Sequence, residues 1–263
     1  MTNSAMHGNL SPANVALLIV AGCAAGFVNT AAGAGSLLSL RALMLIGVAP
    51  GVANATNRLP VLAQSVAAGL GFDRGGMLER KAILSAVLPT SVGALAGSLG
   101  ASFVPDKAMR YILIVALLGM AIMSLRSMKP ASATRPEEPA TGARRGALFA
   151  WLFVAGLYGG FLQAGVGLVL LFALSSVDGY DMIRANALKV VLIALFTLVS
   201  LAVFIARGEM DYPAGLVMCV GAVVGARLGV RYAIGHGEKL KRFVVVCDVV
   251  ACAVLLYREL TTG

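Results

Sequence analysis

The chain reads as an all-α polytopic membrane protein made of two inverted-topology repeats, each a broken-helix hairpin plus three transmembrane helices. Three observations predict that class. Of its 263 residues, 59% are hydrophobic and 13% charged, about half the charge of an ordinary soluble domain. The apolar residues lie in runs parted by short polar turns, and at about 20 residues per crossing there is no room for a soluble module. Finally, one pattern occurs twice. Gly33-Ala-Gly35 is followed 19 residues later by Asn54, with Arg58 just beyond, and Gly165-Val-Gly167 is followed 19 residues later by Asn186, with Lys189 just beyond.

Taken in order, residues 1–12 are polar and contain no Lys or Arg, so the basic region of a cleaved signal peptide is not expected. The run 13–28 and the run 36–48 are each shorter than a span, with a Gly-rich break between them. Such a pair reads as a hairpin that enters the membrane and returns, since broken backbone at that depth is tolerated only inside protein or beside a wet cavity. Helices are expected over 59–72, 82–104 and 109–125. The segment 126–146, rich in Pro, Ala, Thr and charge, reads as a flexible linker. The second half repeats the plan: a short arm over 147–161, the break Gln163–Gly167, a returning arm over 168–177, then spans over 183–206, 213–234 and 243–257. Residues 1–125 are therefore assigned to the first repeat, 126–146 to a linker and 147–263 to the second repeat. Gly93 and Gly97 match Gly221 and Gly225 as GxxxG faces in corresponding spans, a close-packing signature.

An odd number of crossings in each half gives the halves opposite orientation, a plan common among secondary transporters. Twelve Lys and Arg residues, among them Arg74, Arg80, Lys81, Arg144, Arg145 and Arg231, fall on one side against Lys107, Arg110, Arg207 and Arg258 on the other. The positive-inside rule then places the linker in the cytoplasm of a bacterial cell, the protein in the cytoplasmic membrane and both termini outside. The net charge of +9 is explained by that topology, and no nucleic-acid partner is expected.

Chemistry follows from the breaks. Each should start a half-helix whose N-terminus, near Gly35-Ser36 and Gly167-Leu168, presents N–H groups and a positive dipole end to an anion. Arg58 and Lys189 would add full positive charge, and an intramembrane cation costs several kcal/mol unless it serves a site. Asn29, Asn54, Asn57, Gln163 and Asn186 supply amide donors, Ser36 a hydroxyl, and Gly33, Gly35, Gly165 and Gly167 allow close approach. These residues form the candidate substrate-binding set, drawn as one pocket in mid-membrane that contains both Asn54 and Asn186. Other readings stand beside it. Asn29 and Asn57 equally suit capping of freed backbone; Arg58, Arg184 and Arg227 suit snorkelling to headgroups; Arg41 suits a cavity or an ion pair. Asp248, the one acid well inside a span, is a proton-coupling candidate or an ion-pair partner.

Tyr158-Gly-Gly-Phe-Leu-Gln-Ala-Gly-Val-Gly167, Arg184-Ala-Asn-Ala-Leu-Lys189 and Val203-Phe-Ile, with Gly26–Gly35 and Ala53–Thr56 in the first half, resemble the sulfite exporter TauE/SafE family of membrane permeases. The resemblance covers nearly the whole chain. It implies a permease for small sulfur-containing anions such as sulfite, sulfonates or sulfoacetate; a small carboxylate is the alternative cargo.

An enzyme is not expected, because the spans carry no HExxH, no His/Cys cluster and no Ser/His/acid set. The four cysteines lie in apolar runs without a CxxC pair, so disulfide, zinc and other cofactor chemistry are not expected either. The expected partners are the lipid bilayer, a small anion and, through the GxxxG faces, a second copy in a homodimer.

Overall fold

A computed structural model describes residues 8–31, 33, 35–109, 111, 112, 115, 143–177 and 180–235. They are helical with no strand among them, and the helices with described bounds are α1 Pro12–Ala31, α2 Ser36–Leu45, α3 Pro50–Thr56, α4 Arg58–Arg74, α5 Arg80–Ala101, α6 Ala143–Phe161, α7 Val166–Phe172, α8 Met182–Arg207 and α9 Tyr212–Gly235. A π-helical turn, Ala173–Val177, extends α7. Of the expected span over 109–125 only residues 109, 111, 112 and 115 are described, all helical; the span over 243–257, most of the linker and Asp248 lie outside the described residues.

Among the described residues four helices, α1, α5, α8 and α9, are long and apolar enough to cross a membrane. Their outward faces carry the large apolar side chains a lipid-facing surface requires, among them Val20, Leu84, Leu88, Leu216 and Val220. The first arm corrects the sequence reading. It was expected to fall short of a span, yet α1 runs 20 residues, because Asn29, Thr30 and Ala31 continue the helix into the break instead of ending it. The second arm likewise begins at Ala143, inside the segment assigned to the linker.

Local chemistry sets several boundaries. Pro50 starts α3, where a missing N–H costs nothing. Asp181 caps α8 by accepting from the N–H groups of Ile183 and Arg184, both at 3.0 Å, and Gly208 closes that helix at φ 66°. Asp211 accepts from Ala214 N at 3.1 Å in the first turn of α9 and from Gly8 N at 2.7 Å.

The bundle is laced by small residues. Gly93 and Gly97 of α5 face the backbone of α6 at Phe153 and Leu157, and Gly221 and Gly225 of α9 face the backbone of α1 at Ile19 and Cys23. Both GxxxG faces are thus consumed inside the chain, each gripping the first arm of the opposite half. α4 packs against α9 and α8 in turn packs against α4 and α5.

The two ends of the bundle are separately tied. At one end Asn9 N donates to Ile46 O at 3.1 Å, Gly51 N to Asp106 Oδ1 at 2.9 Å and Arg207 Nη2 to Ser102 O at 3.1 Å. At the other, Arg184 pairs with Glu79 at 3.1 Å, Tyr180 Oη donates to Glu79 at 3.1 Å, and Gly75 lies against Ile234. Arg74, Arg80, Lys81 and Arg184 share this second end, and Lys107 and Arg207 the first.

Candidate functional site

Every helix leaves its last four carbonyls without intrahelical donors, at the negative end of its dipole. Two such ends lie inside this protein, where α1 and α6 stop at the breaks. Each is met by cationic and amide groups from the opposite half of the chain.

At the end of α6, Arg58 Nη1 donates to Gly159 O at 3.0 Å and to Gln163 Oε1 at 2.6 Å. Its Nη2 donates to the carbonyls of Gly160 and Phe161, and the guanidinium sits 4.6 Å from the centre of the Phe204 ring. Asn54 Nδ2 donates to Phe161 O at 2.8 Å. Gln163 Nε2 passes the chain on to Thr197 Oγ1 at 3.0 Å. Ser36 Oγ lies 3.4 Å from both Gln163 O and Gly165 N. Asn57 donates to Ser36 O at 3.4 Å and accepts from Ser39 Oγ at 2.5 Å.

At the end of α1, Lys189 Nζ donates to Asn29 O at 2.9 Å and Asn186 Nδ2 to Thr30 O at 2.6 Å. The two ends are chemically alike: an asparagine and a cation, one turn apart, holding the final carbonyls of the other half's first arm.

Between the ends the breaks touch. A Cβ built on Gly167 would meet Gly33 Cα and O, each at 2.6 Å. Only glycine lets two backbones come this close. Gly33 has φ 106° and Gly165 φ 71°, and Gln163, at φ 60°, takes a left-handed conformation without being glycine. Such a residue stores about 1–3 kcal/mol and persists where its surroundings hold it; here Arg58 and Thr197 grip its side chain.

The structure brings Ser36, Asn54, Asn57, Arg58, Gln163 and Gly165 together, and Asn29, Asn186 and Lys189 together. It does not join the two groups in one pocket. Arg58 stacks on Phe204, whereas Asn186 lies eighteen residues earlier on the same unbroken helix, about 27 Å of axis. The single pocket holding both asparagines is therefore replaced by two clusters with the glycine contact between them. The reason is that each asparagine serves the tip of a different hairpin.

Arg58 and Lys189 are both 0% exposed, so neither snorkels to headgroups. Arg184, with its side chain 49% exposed, instead pairs with Glu79 and with Asp181, and Arg227 is exposed. Among the described residues no partner of Arg58 is a carboxylate, and Arg58 Nε is buried without a hydrogen-bond partner. Asn54 Oδ1 and Asn186 Oδ1 are likewise buried and unpartnered. Sequence reasoning passed over Ser39, Gln64 and Thr197. Their signal was present, since each is a polar side chain inside an apolar run, but such residues are common in helices and nothing in the repeat marked them. Among the described residues there is no cluster of three or more His, Cys, Asp or Glu that could hold a metal ion.

Comparison with known proteins finds similarity to membrane transporters. The family described as "Sulfite exporter TauE/SafE" matches residues 18–256. The chain is 30% identical over 251 residues to "Probable membrane transporter protein YfcA" of Escherichia coli (strain K12), covering 94% of this chain and 91% of that protein. It is 28% identical over 249 residues to "Probable membrane transporter protein ORF9" of Sinorhizobium sp, covering 94% of each. A "Probable membrane transporter protein" of Haemophilus influenzae (strain ATCC 51907 / DSM 11121 / KW20 / Rd) is 26% identical over 249 residues.

Proposed function

The chain belongs to the sulfite exporter TauE/SafE family of membrane transporters, and from that premise we propose that it moves small sulfur-containing anions such as sulfite, sulfonates or sulfoacetate by alternating access. The observation that carries the reading is Arg58. A buried charge is normally paired, because an unpaired one costs several kcal/mol. Arg58 is fully buried on neutral acceptors, with one donor unused. Among the described residues no carboxylate faces Arg58, and a mobile anion would supply the counter-charge. The alternative cargo, a small carboxylate, satisfies the same cation, and competition decides between them.

The substrate set is Asn29, Gly33, Gly35, Ser36, Asn54, Asn57, Arg58, Gln163, Gly165, Gly167, Asn186 and Lys189. Arg58 and Lys189 serve as its two cationic stations, one near each end of the bundle. The mechanism rests on an inverted repeat, residues 1–125 against 147–263, with a cytoplasmic linker and both termini outside. Three features support it. α1 runs alongside α9 much as α6 runs alongside α5; the two tips carry matched asparagine–cation pairs; and the basic residues gather at the end that would face the cytoplasm. When an anion draws Arg58 or Lys189 away from the helix carbonyls, the matching hairpin tip is released, and only one tip opens at a time. Asp248 is the candidate for proton coupling. A homodimer in the bilayer would have to use surfaces other than the GxxxG faces.

The test is uptake into proteoliposomes of purified wild type, Arg58→Lys, Arg58→Met and Lys189→Met, with sulfite, a sulfonate and acetate as competing anions. Transport that is inhibited by sulfite or the sulfonate, and lost in Arg58→Met, supports the reading. Competition by acetate alone selects the carboxylate. Full transport by Arg58→Met removes the mechanism.

A further inference from the structure

Gln64 belongs to none of the contacts above. It lies in α4, is 2% exposed, and its Nε2 has no hydrogen-bond partner. A buried donor left without an acceptor is costly and asks for an explanation.

Its position supplies one. Asn57 precedes it by seven residues, so the two project from one face of the helix, two turns apart. Asn57 donates to Ser36 O, just after the first break. Four residues beyond Gln64 on nearly the same face, Ala68 belongs to the apolar cluster that contains Ala31, just before that break. Interpolation between those two contacts puts Gln64 level with the break, where Gly33 meets Gly167. Its depth is set by neighbours on either side: Arg58 stacks on Phe204 and Gly69 lies against Val191. Interpolating along α8 puts Gln64 about level with Thr197, whose hydroxyl takes the amide of Gln163.

Resting on the anion-transport reading, we infer that Gln64 is a substrate-contacting residue that donates to an oxygen of the anion at the meeting point of the two breaks. The two buried side-chain donors of α4 that lack partners are Arg58 Nε and Gln64 Nε2. An oxyanion, which offers acceptors and no donors, satisfies both; a cation satisfies neither. Arg58 supplies the charge near one end of the path. Gln64 supplies an uncharged contact deeper in, which lets the anion advance without being trapped by a second salt link. A sulfonate or sulfite fits this post through any of its three oxygens.

The experiment uses full-length Gln64→Leu and Gln64→Glu beside wild type, with sulfite, methanesulfonate and acetate as probes. Melting is followed with and without each anion, and KM and maximal rate are measured in proteoliposomes. Gln64→Leu removes an unpaired donor, so without anion it should melt at or above wild type. Its KM should rise about tenfold with little change in maximal rate, the loss of one hydrogen bond to a charged acceptor. Gln64→Glu should be weaker still, because its carboxylate repels the anion. Wild-type KM and wild-type anion-induced shifts in both variants overturn the inference while leaving anion transport standing. A Gln64→Leu protein that melts well below wild type without anion assigns the amide to structure and also overturns it. If none of the three anions shifts or enters wild type, the anion reading fails and the role of Gln64 fails with it.

Discussion

The contact between Gly33 and Gly167 is the point where the two breaks meet, and it makes a sharp prediction. A methyl group added at Gly167 would sit 2.6 Å from both Cα and O of Gly33, about 1 Å inside ordinary carbon contact. These neighbours are backbone atoms, so no side chain can swing aside to relieve the overlap. Overpacking of this kind costs about 1–3 kcal/mol. Gly33→Ala meets Gly167 C at 2.9 Å and Leu168 N at 3.1 Å, and its φ of 106° is unfavourable for any L side chain, which adds roughly 1–3 kcal/mol. Alanine at 33 should therefore destabilise more than alanine at 167. Melting of the full-length protein in detergent should fall by roughly 2–12 °C for Gly167→Ala, at about 2–4 °C per kcal/mol. The double variant is the decisive measurement. Once one methyl has pushed the breaks apart, the second has less to disturb, so the pair should cost less than the two single losses together, by about 0.5–3 kcal/mol. Additive losses, or wild-type melting in Gly167→Ala, would show that the two breaks do not meet, and the coupling between hairpins would fall with them.

Other outcomes follow from neighbouring contacts. Asn186→Ala strips the donor from Thr30 O and should destabilise by about 1–3 kcal/mol, read as a melting loss that Asn54→Ala matches at Phe161 O; a loss at one site and none at the other would break the likeness of the two tips. Gly97→Leu drives a side chain into the α6 backbone at Leu157, and should abolish stable expression, while Leu at the exposed position Val92 should be tolerated. Glu79→Gln removes an ion pair whose side chains are 49% and 30% exposed, so melting should move by less than about 1 kcal/mol equivalent; a larger effect would mean that this end of the bundle is held by that pair. Asp248→Asn should flatten the pH dependence of uptake, and an unaltered pH profile removes Asp248 as the coupling group.

Much of the architecture is legible from sequence because hydrophobic runs report directly on the solvent around a helix. The spans expected over 183–206 and 213–234 are the helices Met182–Arg207 and Tyr212–Gly235, displaced by a residue at each end. The polar members of the candidate set were also legible, since an amide or a cation in an apolar run is expensive wherever it ends up; all of them prove buried. Spacing could mark Asn54 and Asn186 as equivalent, yet it carries no information on what each one touches.

Those contacts were decided by the tertiary structure. The sequence by itself determined that two polar breaks lie within a membrane-embedded helical chain, because composition and periodicity follow from transfer free energies one residue at a time. Only the packed structure decided that Arg58 reaches the end of α6 and Lys189 the end of α1. Helix C-termini attract whichever cation comes within reach, and reach depends on which helices the GxxxG faces bring together. The same close packing sets Gly33 against Gly167 and places Asn54 and Asn186 at opposite tips rather than in a shared pocket.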